Sequence, residues 1–442
     1  QSVTEIKVNY SVTEFSLNDI EIRGEQMKSV TLPGHFLPND EGAPNLPGSG
    51  RFIAIPEGAT PVLRITGIRT ETLKDVSVAP APRIPKTTDR GPLHYEKNDK
   101  IYSTDAFYPA EPVKLSEKME LRGIDVAMLG ITPFQYNPVT RELKIIRDLK
   151  VEIDFEGGQG IYGEERLRSK WWDPIIEDAV LNSASIPEVD YTARFYNNNR
   201  DEGYEYLIII PDNPVFQPWA DTIKKFRVQQ GITTKIVTTG ELGGNTTAAI
   251  ESYVNEAYNN WDPAPSAVLL LGDYASGDDG IMSPIWDSYC ASDHIYADID
   301  GDDIEEIVFA RITAQSSDQL ETMIMKFINH ETNPPTDPNF YNHPITALGW
   351  QTERWFQICS ETVGGYFREV HGKDPVRINA VYGGNPSVDP WSTAPNTATV
   401  LNEFGPNGLG YIPEDPSDLG GWTGGTSYDV TAAINNGAFI LQ

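Results

Sequence analysis

Asp298, Asp300 and Asp302 alternate around Gly301, and Glu305 and Glu306 follow within four residues. Carboxylates converging on a tight glycine turn are the hard oxygen donors that calcium takes. The spacing is not that of an EF-hand, because Gly301 stands fourth in the loop rather than sixth and the twelfth residue is Phe309. The side chains expected to bind calcium are Asp298, Asp300, Asp302 and Glu306, with Ile304 offering its carbonyl. The alternative is an acidic hairpin solvated by water.

The two cysteines, Cys290 and Cys359, are the other candidates for chemistry. Cys359 falls at the predicted start of a helix, where a thiolate would gain from the helix dipole, but no histidine is placed beside it. A buried cysteine acting as a small apolar residue is the reading that fits. Cys290 and His294 could offer two metal ligands from one helix, yet a zinc site needs three or four and no partners are evident. His294, next to the acidic run, reads as a surface ion partner rather than a general base. Asn9-Tyr10-Ser11 and Asn245-Thr246-Thr247 match a glycosylation acceptor pattern, which matters only in a eukaryotic secretory route.

The elements that must position these residues fall into two kinds. From Gln1 to about Phe155 apolar residues alternate with polar ones, as at Ile6, Val8, Tyr10 and Val12, with Pro and Gly clusters between runs. This predicts a β-sandwich over residues 1–160. Residues 161–203 lose that pattern and end in the polar run Tyr196-Asn197-Asn198-Asn199-Arg200, the expected linker and processing region, with Arg194 and Arg200 as cleavable basic positions. From residue 204 to 442 strands alternate with helices, which predicts an α/β domain with a mostly parallel sheet flanked by helices. Its middle strand is Ala267-Val268-Leu269-Leu270-Leu271, leading into Gly272-Asp273. Function is expected in the acidic loop after it, since chemistry in such sheets gathers at the carboxyl ends of the strands.

The totals narrow the function. A formal charge of −30, from 34 basic and 64 acidic residues, argues against nucleic-acid binding, which depends on Lys and Arg displacing counterions. Cation binding is the better use of such a surface. No apolar run approaches the roughly 20 residues of a membrane span. Gln1 opens directly into a strand-like pattern, as in a chain whose leader has been removed. Two cysteines exclude a disulfide-dense scaffold and leave open one bridge or two free thiols.

Leu269-Leu270-Leu271-Gly272-Asp273, the run from Ser292-Asp293 to Gly301-Asp302 closed by Ala310-Arg311, and Ile434-Asn435-Asn436-Gly437-Ala438-Phe439-Ile440-Leu441 resemble the gingipain-like family of secreted cysteine peptidases, whose fold is similar to that of the caspases. Arg122-Gly123 and Pro133-Phe134-Gln135-Tyr136-Asn137-Pro138 resemble the family's β-rich propeptide. The resemblance implies a secreted or cell-surface endopeptidase zymogen acting on protein or peptide substrates, with the propeptide covering the cleft. It places the family's catalytic His and Cys beyond Gln442, in a remaining C-terminal polypeptide. By position it makes Glu353 the carboxylate that orients the His. The rival reading is a non-catalytic surface or assembly protein that keeps the peptidase fold.

Overall fold

The structure is a computed structural model that describes residues 5–38, 40–84, 93–192, 203–349, 351, 353–379, 385, 387–394 and 397–442. Arg194 and Arg200, the expected processing positions, lie outside the described residues.

Among the described residues the first half builds ten strands: β1 (Glu5–Ser11), β2 (Ser16–Ile22), β3 (Glu25–Thr31), β4 (Ser49–Ala54), β5 (Ala59–Leu73), β6 (Val113–Leu115), β7 (Met119–Leu121), β8 (Ile124–Ile131), β9 (Phe134–Asn137) and β10 (Glu142–Gly157). One antiparallel sheet runs β1-β10-β5, with β9 also on β10, and a second runs β4-β8-β6, with β7 also on β8. Period-two patterning gives each sheet one apolar face. Ile146, Leu149, Val151 and Ile153 of β10 meet Ile53, Ala127, Leu129 and Ile131 of the other sheet in one buried cluster. The two antiparallel sheets thus share one core. The β2–β3 hairpin packs Val30 with Phe134, Leu143 and Ile145 in a neighbouring cluster.

The stretch predicted as linker is more ordered than its composition suggested. Helix α1 (Asp173–Ala179) and the turns around it bury Tyr162, Trp172, Ile176, Val180 and Ile186 against Ala54, Leu121, Ile124 and Val126. Asn182 exchanges two hydrogen bonds with the backbone of Ala54, at 2.8 and 2.9 Å. Five apolar side chains spread over the 25 residues from Tyr162 to Ile186 are enough to seat a segment once a sheet face is available to cover them.

In the second half β11 (Tyr206–Ile210), β12 (Thr234–Thr238), β13 (Ala267–Leu271) and β16 (Val308–Ile312) form a parallel sheet in the order β12-β11-β13-β16. Helices α2 (Gln217–Gln229), α3 (Thr247–Asn260) and α4 (Ser317–Thr332) cover it. Ile223, Leu320 and Ile324 pack on Ile208, Ile210, Leu269 and Leu271, while Ile250, Val254 and Tyr258 pack on Leu207, Ile209, Val268 and Leu270. Both sheet faces are therefore covered, which is why the strands read as continuous apolar runs. Thr246 and Ser316 cap α3 and α4 by accepting the amides of Ala249 and Gln319.

β17 (Ile345–Leu348) and β18 (Val376–Asn379) do not extend that sheet; they form a separate parallel pair backed by α5 (Trp355–His371). The last residues lie along β17, with Ile345 N–H donating to Ile440 and Ala347 N–H to Gln442. The backbone of this last segment is paired, but Leu441 is 48 % exposed. Helices α6 (Thr397–Phe404) and α7 (Ser427–Asn435) complete this region.

Candidate functional site

The parallel connection from β13 to β16 leaves at the carboxyl rim, at Asp273, and must return the chain to the amino-terminal edge before β16 can start. A short hairpin, β14 (Ile285–Trp286) and β15 (Cys290–Ala291), and a single helical turn, His294–Ala297, occupy the way back. The acidic loop is the last part of that return. It therefore sits at the amino-terminal edge of the sheet and not at the rim where the sequence pattern placed it.

The rim itself is held by Arg311. Its guanidinium makes a two-pronged pair with Asp293, at 2.7 and 2.8 Å, and donates to the carbonyls of Gly272 (3.1 Å), Asp273 (3.2 Å) and Ile281 (2.9 Å). Beside it Asn245 is saturated: Nδ2 donates to Ala275 and Gly280 at 2.9 and 3.0 Å, and Oδ1 accepts Met282 N–H. These two side chains tie down the loop that carries the chain away from the rim.

In the acidic loop Asp298 organises the backbone, accepting the amides of Gly301 (2.8 Å), Asp302 and Asp303 (both 3.2 Å). Gly301 supplies the positive φ of 80° that the turn needs. Glu306 is 1 % exposed; its Oε2 accepts Ile299 N–H at 2.8 Å and its Oε1 has no hydrogen-bond partner. Carboxylate oxygens of Asp298, Asp300 and Glu306 lie within 4.8 Å of one another. That spacing fits one cation, since ligands at about 2.3–2.6 Å from calcium are at most about 5 Å apart. Burial first, then the charges of Asp300, Asp302 and Asp298, push the Glu306 carboxyl up to about 8 against the opposing Ile299 N–H. A buried, unpaired carboxylate among like charges is costly, and a dication would relieve it.

Asp302 departs from its expected place. It is outside the converging set; its Oδ1 accepts Ile304 N–H and its Oδ2 accepts Glu120 N–H, at 2.9 and 3.0 Å. Ile304, expected to contribute only a carbonyl, packs its side chain against the apolar cluster of the first half around Leu121 and Trp172. A second set, His294, Asp298 and Asp303, also brings ligand atoms within 4.8 Å, but His294 Nδ1 is engaged by Glu305 at 2.7 Å. Cys290 is exposed on β15, off the helix that begins at His294, so the two do not form a helical ligand pair.

Arg122 is the residue that pattern reasoning underrated. It is 1 % exposed and donates to the carbonyls of Leu167 (2.7 Å), Pro265 (2.8 Å) and Glu306 (2.7 Å). Its guanidinium also lies against the rings of Trp172 and Tyr258. Burial lowers its pKa to about 10. The Arg122-Gly123 pair was visible in the sequence as a family feature; its cross-half contacts were not. They fall before β13 and β16, at the edge opposite the rim.

Glu353 follows β17 and precedes α5. Its Oε2 accepts Gln351 Nε2 at 2.7 Å, and its carbonyl accepts Ser392 Oγ and Thr393 N–H. Gln442 pairs in parallel beside Ala347, so the chain leaves β17 at the same carboxyl end from which Glu353 departs. Ser360, on α5, donates to Gln442 Oε1 at 3.3 Å. Cys359 packs with Ile358, Trp391 and Ile412, and burial raises its thiol pKa, as suits a structural residue.

A strand-built half clamped by a buried arginine onto a half with a parallel sheet and flanking helices makes a two-part chain. The model of peptidase family C25 matches residues 199–442 and that of its propeptide matches residues 1–167, so the chain belongs to peptidase family C25, propeptide first. It is 24 % identical over 390 residues to Lys-gingipain HG66 of Porphyromonas gingivalis, covering 84 % of this chain and 22 % of that protein. It is 25 % identical over 350 residues to Gingipain R2 of the same organism, covering 77 % of this chain and 45 % of that one. The chain thus spans less than half the length of these relatives. Among solved structures, the complex of Porphyromonas gingivalis RgpB pro- and mature domains matches with a TM-score of 0.37 and 21 % identity, over 41 % of this chain and 93 % of that one. That degree of likeness adds nothing to the architecture described above.

Proposed function

We propose that this chain is the propeptide and the first part of the catalytic domain of a secreted gingipain-like cysteine endopeptidase, with a structural calcium in the acidic loop. The observation that carries the reading is the ordered match of propeptide and peptidase family models along one chain. Among the described residues no helix is long and apolar enough to cross a membrane, which is compatible with a secreted or cell-surface location.

In this reading a thiolate attacks the scissile carbonyl of a protein or peptide substrate, and an imidazole acts first as base and then as acid. Both groups belong to the polypeptide that follows Gln442. Glu353, at the carboxyl end of β17 where that polypeptide would continue, orients the imidazole. Its hydrogen bond from Gln351 keeps one carboxylate oxygen fixed for that task. Asp298, Asp300 and Glu306 hold the calcium, and Asp302 serves the loop's outer side. Cleavage near Arg194 or Arg200 separates the two halves.

The test is peptidase assay of the longer polypeptide, before and after cleavage between the halves. Thiol-alkylation-sensitive hydrolysis that appears on cleavage, and that falls about a hundredfold or more in Glu353→Gln, is the expected result. A cleaved, folded protein with no peptidase activity would remove the enzymatic reading.

A further inference from the structure

The acidic loop faces two ways at once. On its inner side carboxylate oxygens of Asp298, Asp300 and Glu306 converge, and the buried Oε1 of Glu306 has no hydrogen-bond partner. On its outer side the five residues from Asp302 to Glu306 make three contacts with the first half. Glu120 N–H donates to Asp302 Oδ2 at 3.0 Å, Arg122 Nη1 donates to the Glu306 carbonyl at 2.7 Å, and Ile304 packs against the cluster holding Leu121 and Trp172. Glu306 belongs to both sides, its carboxylate facing inward and its carbonyl facing Arg122.

We propose that cation binding in this loop and docking of the propeptide are one coupled equilibrium, in which a dication held by Asp298, Asp300 and Glu306 tightens the grip of Glu120–Arg122 on the peptidase half. This rests on the calcium reading above. Two physical effects set the sign. Docking sets the Glu120 carboxylate beside an already anionic loop, to which its own N–H donates at Asp302 Oδ2, and like charges repel. A dication there turns that repulsion into attraction. The ion also fixes the loop backbone, so that the Glu306 carbonyl and the Asp302 carboxylate are in place before the propeptide uses them. Coupling between two sites is reciprocal, so the docked propeptide must raise the cation's affinity by the same factor.

The experiment uses the intact chain, with hydrogen exchange measured by mass spectrometry in saturating calcium chloride and in chelator, and calcium binding followed separately by calorimetry. The expected result is calcium binding together with exchange over residues 119–123 that is about tenfold faster in chelator, within the usual range of coupling between sites. Exchange in β10 and α4 should change little. In Glu120→Gln, with the like charge gone, the chelator effect on residues 119–123 should shrink. Calcium binding without any change at 119–123 would overturn the coupling and leave the calcium reading intact. Absence of calcium binding would overturn both. An equal acceleration in β10 and α4 would show that the ion supports global stability alone and would overturn the coupling.

Discussion

The carbonyl of Glu306 accepts Arg122 Nη1 at 2.7 Å across 184 positions of sequence, while the carboxyl of the same Glu306 is buried in the acidic loop. Arg122 thus ties the first half to the backbone oxygens of Pro265 and Glu306 in the second, while also donating to the Leu167 carbonyl. Arg122→Met keeps most of the apolar stem but leaves those three buried carbonyls without their donor. It should cost about 3 kcal/mol, at the upper end for unsatisfied buried acceptors. The check is the urea midpoint at which Trp172, whose ring lies against the guanidinium, becomes exposed to solvent.

Glu306→Gln removes the charge that has no partner while keeping the shape. Calcium should stabilise the natural chain by about 2.7 kcal/mol at a hundredfold excess over its dissociation constant and should stabilise the variant far less. Thermal unfolding with and without chelator reads the difference. Equal calcium shifts in both chains would exclude Glu306 as a ligand.

The same carboxyl predicts a pH dependence in the absence of calcium. Its folded pKa of about 8 lies above its ordinary value of 4.5, so the folded state holds the proton more tightly than the unfolded one. The contribution of Glu306 to stability is therefore complete below about pH 4.5 and is lost as pH rises through about 8. Measured in chelator, the natural chain should lose stability relative to Glu306→Gln across this window. A difference that stays flat, or that grows in favour of the natural chain, would contradict the assignment.

The thiols should separate cleanly. Cys290 is exposed on a hairpin, whereas Cys359 is packed among apolar side chains with its pKa raised by burial. A maleimide should label Cys290 in the native chain and reach Cys359 only on unfolding. Peptide mapping of the labelled protein distinguishes the two, and rapid labelling of Cys359 would contradict the packing.

Much of the frame was legible because it is local. Alternation of Ile6, Val8 and Tyr10 and the unbroken Val268–Leu271 run each report a neighbourhood of a few residues. What escaped depends on pairing distant segments. Nothing near Asp302 signals that one of its oxygens takes an amide from Glu120, and nothing near Leu348 signals that β17 starts a second sheet rather than widening the first. The acidic loop was recognised by composition but placed at the wrong end of the strands, because residue spacing does not record where a long connection turns back.

The tethering of Asn245 has a consequence for producing this protein in yeast or animal cells. Of the two sequence matches to a sugar acceptor, Asn9 is open to solvent on β1, whereas both ends of the Asn245 amide are consumed by the loop it fastens. An oligosaccharyltransferase could modify Asn245 only before that loop closes, and a glycan added then would keep it from closing. Heterogeneous glycoforms at Asn245 would therefore mark chains that had failed to fold.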